Sequence, residues 1–233
     1  MKKRNQWLFM YTMIIFVFFA VLYGGNRAVT VISENIPPKR DLCIIIDAGH
    51  GGIDGGATSC TGKLESGFNL EISVRLNDLF HLLGYKTRMI RTADTSVYTK
   101  GTTIAQQKVS DLKERVRIVR ETEHALLISI HQNNFSQEKY SGAQVFYGAG
   151  EGSEALAKSL QTAFVSSVNP GSKRQCKPAT GIYLMEHIQC PGVLIECGFL
   201  SNPAEEAKLS TPDYQKRLCC VIAATVGSYL SNT

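Results

Sequence analysis

The chain has 233 residues and a formal net charge of +5. Four of its basic residues lie in residues 1–30, which contain no acid, so the remainder carries 21 basic and 20 acidic side chains. A nearly neutral body argues against nucleic acid as a partner, because nucleic-acid binding needs a clustered basic face. About 195 residues follow the N-terminal segment, which is enough for one well-buried domain and too few for two.

The N-terminal residues predict export. A basic start, Met1 to Arg4, precedes an apolar run from Trp7 to Tyr23 of roughly the length that enters a bilayer. This pattern is typical of a signal peptide or an uncleaved signal anchor. We therefore expect a signal peptide or membrane anchor over residues 1–30, a linker over 31–41 and one folded domain over 42–231.

The elements predicted after the linker alternate between strands and helices. Apolar, β-branched or alternating runs predict strands over residues 42–47, 85–91, 125–131, 143–147, 182–185 and 193–196. Apolar residues at helical spacing predict helices over 72–83, 109–119 and 156–168. Residues typical of a helix start predict two further helices, which begin at 202–203 and at 211–212. The polar stretch 94–109 lacks periodicity and is predicted to be a loop. The alternation predicts a single α/β domain with a mostly parallel, twisted sheet flanked by helices.

Two of the predicted strands lead into histidine. His50 follows the strand over 42–47 and His131 ends the strand over 125–131, with Glu65 between them in the chain. If these strands are parallel, both imidazoles emerge at the sheet edge where α/β proteins bind ligands. Two imidazoles and a carboxylate fill three positions of a tetrahedral Zn²⁺ and leave the fourth free. The sequence therefore predicts a hydrolytic zinc site.

The turn around His50 is rich in glycine, from Asp47 to Gly56. A phosphate-binding loop is the rival interpretation, but no Gly-Lys-Ser/Thr follows and the spacing is not that of a dinucleotide site. Asp47 is expected to accept the spare N–H of His50 or of another ligand. The simpler alternatives are a structural His50 and a Glu65 that only favours the start of a helix.

Glu196 ends the predicted strand over 193–196, where burial would raise its pKa toward the range useful for proton transfer. It is therefore the predicted general base, the alternative being a carboxylate in a salt bridge. Gln132 and Asn133 follow His131 and offer amide groups that are expected either to bind substrate or, like Asp47, to support the metal ligands from behind. The other histidines are expected to be solvated or packed, namely His81, His124 and His187.

The seven cysteines contain no Cys-x-x-Cys pair and hence no recognisable metal-binding spacing. We interpret them as small, mostly buried hydrophobic side chains. One disulfide is left open, with Cys60, Cys176 and Cys190 as the candidates.

Together these segments resemble the zinc-dependent N-acetylmuramoyl-L-alanine amidases of the type-3 class. The resemblance covers about residues 42–231 and rests on four ordered motifs, Asp47 to Gly56, the Gly-x-x-Glu that ends at Glu65, Ser129 to Asn133, and Leu194 to Asn202. It implies that His50, Glu65 and His131 hold one zinc ion and that Glu196 is the catalytic glutamate. It also implies cleavage of the amide bond between N-acetylmuramic acid and L-alanine in peptidoglycan.

Within that family, a short chain with an N-terminal anchor and no wall-binding repeats is most similar to the spore-cortex amidases of endospore-forming bacteria. These act alongside a peptidoglycan deacetylase to make muramic-δ-lactam, the mark read during germination. The implied location is the outer face of a bacterial membrane or the forespore intermembrane space. Relatives commonly carry Lys-Asp after the ligand glutamate, whereas Ser66 and Gly67 follow Glu65 here. This change is expected to loosen the ligand, so an accessory or activator protein is a hypothesis.

Two other functions fit the same residues. A zinc carboxypeptidase acting on stem peptides would use the same sheet edge, and a membrane-anchored wall-binding scaffold would keep the fold without turnover. The products separate them, because an amidase frees a peptide that starts with L-alanine, a carboxypeptidase releases D-alanine, and a scaffold cuts nothing.

Overall fold

The computed structural model describes residues 41–232. The predicted signal peptide or anchor and nearly all of the predicted linker lie outside the described residues. Among the helices of residues 41–232, none combines the length and the apolar character that a membrane crossing needs.

The described part of the chain contains six strands and six helices, which alternate except where β4 follows β3 and where two helices follow β6. The strands are β1 (Cys43–Ala48), β2 (Lys86–Met89), β3 (Ala125–Asn133), β4 (Gln144–Tyr147), β5 (Lys177–Pro178) and β6 (Gly192–Phe199). The helices are α1 (Glu65–Leu82), α2 (Ile104–Arg120), α3 (Ser153–Ser167), α4 (Tyr183–His187), α5 (Pro203–Leu209) and α6 (Pro212–Ser231).

The strands form one sheet in the order β2-β1-β3-β6-β4-β5. All neighbouring pairs are parallel except β4 and β6, which are antiparallel. The prediction of a mostly parallel α/β sheet flanked by helices is therefore confirmed.

Alternation along the strands divides the core between the two faces of the sheet. Ile44 and Ile46 of β1 pack on one face with α1, α3 and α6. Ile45 and Leu127 pack on the other face with α2 and α4. Because β1, β3 and β6 are buried on both faces, they consist of nearly continuous apolar runs.

The register of the sheet brings the ends of three strands together. Ala48 of β1 pairs with Ile130 of β3, and His131 of β3 pairs with Glu196 of β6. The turn after β1 carries His50. The carboxyl ends of β1, β3 and β6 therefore form one edge, on which the predicted site residues lie.

Two predicted elements are wrong. Residues 182–185 are predicted as a strand but start the short helix α4, because a four-residue apolar run does not distinguish the two structures. The predicted loop 94–109 ends where α2 begins at Ile104, after a capping box between Thr103 and Gln106. The first turns of α2 are polar and exposed, so they show no apolar stripe.

All seven cysteines are free thiols, so the disulfide left open by the sequence is absent from the structure. Cys43, Cys197 and Cys219 are buried, as small hydrophobic side chains would be, whereas Cys60 and Cys220 are exposed.

Candidate metal centre and active site

His50, Glu65 and His131 come together at the carboxyl edge of the sheet. Glu65 Oε2 lies 3.3 Å from His50 Nε2, and Glu65 Oε1 lies 3.1 Å from His131 Nδ1. One possible ligand atom from each residue lies within 4.8 Å of the other two. Two imidazole nitrogens and a carboxylate at these separations form a donor set that suits a divalent cation such as zinc. The three residues could therefore hold one metal ion.

Glu65 is the first residue of α1 and is only 4% exposed. Its carboxylate accepts hydrogen bonds from the Ala57 and Gln132 backbone N–H groups and from Asn69 Nδ2, at 3.0 to 3.1 Å. Burial alone would raise the pKa of Glu65, but hydrogen bonds with His131 and His50 hold it well below its usual range. Glu65 is therefore an anionic candidate ligand whose oxygens are held in place.

The described contacts oppose the loosening of Glu65 expected from Ser66 and Gly67, and the effect of these two residues on zinc affinity stays a prediction. Three neutral N–H donors fix the carboxylate, so a neighbouring cation is not needed to hold it. Ser66 is itself buried, and its carbonyl accepts a hydrogen bond from Arg91.

His50 has a left-handed backbone, with φ of 61°, which is uncommon for a residue with a side chain. Gly49 before it lies against the His131 ring, where an added Cβ would come within 2.2 Å of the imidazole. Asp54 Oδ2 lies 2.9 Å from His50 Nδ1. Burial would lower the pKa of His50, but Glu65 and Asp54 raise it to about 9.

Asp47 does not hold His50, so that predicted contact is wrong. Its carboxylate accepts hydrogen bonds from Ser129 Oγ at 2.6 Å and from Arg115 Nη1. Asp47 lies within β1 opposite Ser129, whereas the turn carries the His50 ring beyond the strand end. Asp54, four residues after His50, takes the position that we predicted for Asp47.

Two buried arginines, each 3% exposed, bind the carbonyl groups of the turn. Arg91 donates to the Ala48, Gly49 and Ser66 carbonyls at 2.7 to 2.9 Å. Arg115 Nη2 donates to the His50 carbonyl at 2.7 Å. Ser66 is the neighbour of Glu65, so Arg91 joins the His50 turn to the start of α1.

Asp54, Arg91 and Arg115 were not predicted as site residues. Two signals in the sequence point to the arginines. Arg91 lies two residues after β2, and Arg115 lies beside Val116 on the helix face that packs on the sheet. Charged residues at such positions are rarely buried unless they are paired.

The two predicted amides have different environments. Gln132 is 3% exposed, and its Nε2 donates to Asn69 Oδ1 at 3.3 Å. Because Asn69 in turn donates to Glu65, Gln132 supports a candidate ligand through Asn69, which is the second of the two roles expected for it, and contact with substrate stays a prediction. Asn133, half-buried at the end of β3, stays a prediction as a substrate-binding residue.

The three other histidines lie apart from the cluster. His81 is exposed and contacts Thr87, and His124 is exposed at a loop position. The His187 ring stacks on Tyr183 at 3.9 Å between centroids.

Glu196 lies beside the cluster, because it pairs with His131 on the neighbouring strand. Its Oε2 is buried and has no hydrogen-bond partner within residues 41–232. Burial raises the pKa of Glu196, His131 and His50 lower it and the nearby Glu65 raises it, and the net pKa is about 7. A carboxyl group with this pKa gains and loses a proton near neutral pH.

Comparison with known proteins agrees with this geometry. A model of the N-acetylmuramoyl-L-alanine amidase family matches residues 44–228, and the chain belongs to this family. The germination-specific N-acetylmuramoyl-L-alanine amidase of Bacillus subtilis is 36% identical over 236 residues, which cover 99% of this chain and 97% of that protein.

Two solved structures from Clostridioides difficile share the fold. The CwlD amidase in complex with the GerS lipoprotein has a TM-score of 0.79 at 37% identity, covering 82% of this chain and 99% of that one. An N-acetylmuramoyl-L-alanine amidase from strain 630 has a TM-score of 0.72 at 30% identity, covering 84% of this chain and 100% of that one. The resemblance to this family predicted from the motifs is confirmed.

We expect Asp54→Asn to weaken zinc binding by about 10- to 100-fold, because His50 loses the carboxylate that orients its ring. Competition with a chromophoric chelator measures the affinity. Asp213→Asn is the matched control, since that side chain is 96% exposed. Equal zinc affinity in both variants would contradict the role of Asp54.

We expect Asp47→Asn to lower the free energy of unfolding by about 3 kcal/mol at neutral pH, because Arg115 loses a buried partner. Burial would raise the pKa of Asp47, but Arg115, His131 and Ser129 hold it below its usual value. The stabilisation is therefore present above the unfolded pKa of about 3.9 and is lost as the pH falls through the lower folded value. Urea unfolding at neutral and acidic pH measures this, and a difference independent of pH would contradict it.

Proposed function

We propose that this protein hydrolyses, with one zinc ion, the amide bond between the lactyl group of N-acetylmuramic acid and L-alanine in peptidoglycan. The observation that carries the proposal is the cluster of His50, Glu65 and His131 with Glu196 beside it. The chain is a member of an amidase family. His50, Glu65 and His131 supply the donor atoms for a metal ion, and Glu196 has the pKa that proton transfer in amide hydrolysis needs.

His50, Glu65 and His131 would hold the zinc ion in this proposal. When bound, zinc supplies a Lewis acid that polarises the amide carbonyl and lowers the pKa of water from about 15.7 toward 7. The protein contributes by fixing the three donors. Asp54 orients His50, three N–H groups orient Glu65, and Gly49 leaves room for the His131 ring.

Glu196 is the proposed general base and general acid. Its carboxylate takes a proton from the attacking water as the water oxygen bonds to the carbonyl carbon. The C–N bond then breaks, and Glu196 returns the proton to the departing nitrogen. The products are a lactyl carboxylate on the sugar and a peptide with a free L-alanine amino terminus. A pKa of about 7 lets one group perform both transfers.

The proposed setting is the spore cortex. The relative from Bacillus subtilis is named for germination, and we propose the same stage for this protein, alongside a deacetylase in muramic-δ-lactam formation. We also propose that residues 1–30 export the chain and anchor it at the outer face of the membrane, with residues 42–231 as the catalytic domain. The CwlD structure contains the GerS lipoprotein, which supports an accessory protein here.

We expect Glu196→Gln to keep zinc and to lose turnover by about 10²- to 10⁴-fold, because the amide cannot accept the proton of water. Metal analysis and release of peptide from purified peptidoglycan measure the two properties. Glu154→Gln, an exposed change on α3, is the control. Turnover near that of the unchanged protein would end the assignment of Glu196.

We expect removal of zinc by a chelator to abolish cleavage and added zinc to restore it. Mass spectrometry of the digest identifies the bond that is cut. Peptides that begin with L-alanine support the amidase, whereas released D-alanine would instead indicate a carboxypeptidase, and metal-loaded protein that binds fragments uncut would indicate a scaffold.

A further inference from the structure

A cavity of about 220 Å³ lies beside His50 and His131, on the face of the sheet that α2 and α4 cover. It is smaller than the pockets of about 300–1,000 Å³ that enclose drug-sized ligands, so only a small group or a short part of a larger ligand would fit in it. One part of its wall is apolar and consists of Ile53, Leu112, Ile182, Leu184 and Leu194. A small aliphatic group next to the scissile bond would fit this wall.

Two basic residues line the cavity, and they differ in availability. The Arg115 guanidinium is buried and already bonded to Asp47, Asp111 and the His50 carbonyl. The Lys108 side chain is 47% exposed, and its Nζ lies 2.8 Å from Asp54 Oδ1. An ammonium group has three N–H donors, so Lys108 can bind a second anion while it keeps Asp54.

Lys108 is linked to the candidate metal centre through one shared carboxylate, that of Asp54. The contacts from Lys108 to Asp54 and from Asp54 to His50 are 2.8 and 2.9 Å long. Two extended residues of a peptide span roughly 7 Å. A peptide whose first amide lies at the His50 cluster can therefore place a carboxylate of its second residue near the Lys108 ammonium.

The charge of the substrate decides which part of it this cation would recognise. The lactyl carboxyl group is the acyl part of the bond to be cut, so it carries no charge before cleavage. The acidic groups of the uncut substrate lie on the stem peptide. The Lys108 ammonium, with the apolar wall of the cavity beside it, therefore fits the peptide side of the scissile bond better than the glycan side.

We propose that this cavity is the stem-peptide subsite and that Lys108 recognises a free carboxylate on the residue after L-alanine. The inference rests on the proposed amidase function and adds a substrate preference to it. Asp54 holds the ammonium at the mouth of the cavity, so the same carboxylate orients His50 and Lys108.

The test uses two glycan-linked peptides that differ only at the second residue, which carries either a carboxylate or a carboxamide. We expect the zinc-loaded, full-length protein to cut the carboxylate form with about tenfold higher kcat/KM, the effect of about 1.4 kcal/mol of charge-assisted binding. In Lys108→Met this ratio falls to near one, and in Lys108→Arg most of it returns. Lys113→Met, an exposed lysine on the same helix outside the cavity, keeps the ratio of the unchanged protein.

A second measurement needs no variant. The dipeptide product with a free carboxylate should inhibit the unchanged protein about tenfold more strongly than its carboxamide form. Equal cutting and equal inhibition by the two forms, or an unchanged ratio in folded, zinc-loaded Lys108→Met, would overturn the subsite. Failure of the unchanged protein to cut either substrate would overturn the amidase proposal, and the subsite with it.

Discussion

The hydrogen bonds from two buried guanidinium groups to the turn after β1 are the interaction on which the site depends. Arg91 and Arg115 bind the carbonyls of three consecutive residues, the last being His50, whose left-handed backbone is otherwise unfavourable. Arg91 also binds the residue next to Glu65. A buried guanidinium without acceptors is very costly, so the folded core and the turn stabilise one another. The ligand geometry is therefore set by the protein itself.

The site separates the roles of two carboxyl groups by their surroundings. Glu65 receives hydrogen bonds from the backbone and from imidazoles, which lower its pKa, whereas Glu196 has a buried oxygen without a partner in the described chain, and burial raises its pKa to about 7. Environments that push the pKa values of neighbouring acids apart fit the proposed division between a charged ligand and a proton carrier. The pairing of β3 with β6 places Glu196 beside His131, and the Glu65 carboxylate contacts the His131 ring from α1.

Much of the fold and of the cluster was predictable because it follows from local pattern. The apolar runs of β1, β3 and β6 are long, and each is followed or ended by a polar site residue, which places those residues at one edge. The sequence did not reveal Asp54 as the partner of His50, because the path of a glycine-rich turn depends on contacts with distant residues such as Arg115. The sequence left two roles open for Gln132, substrate binding and support of the ligands, because periodicity does not show how deeply a polar strand residue is buried.

The seven unpaired thiols mean that no covalent cross-link supports this fold. Its stability comes from a core packed on both faces of the sheet and from buried ion pairs, none of which depends on an oxidant. The domain can thus reach its native state in reducing or oxidising surroundings without an enzyme that forms or reshuffles disulfides. The thiols most open to oxidants are those of Cys60 and Cys220, which are exposed.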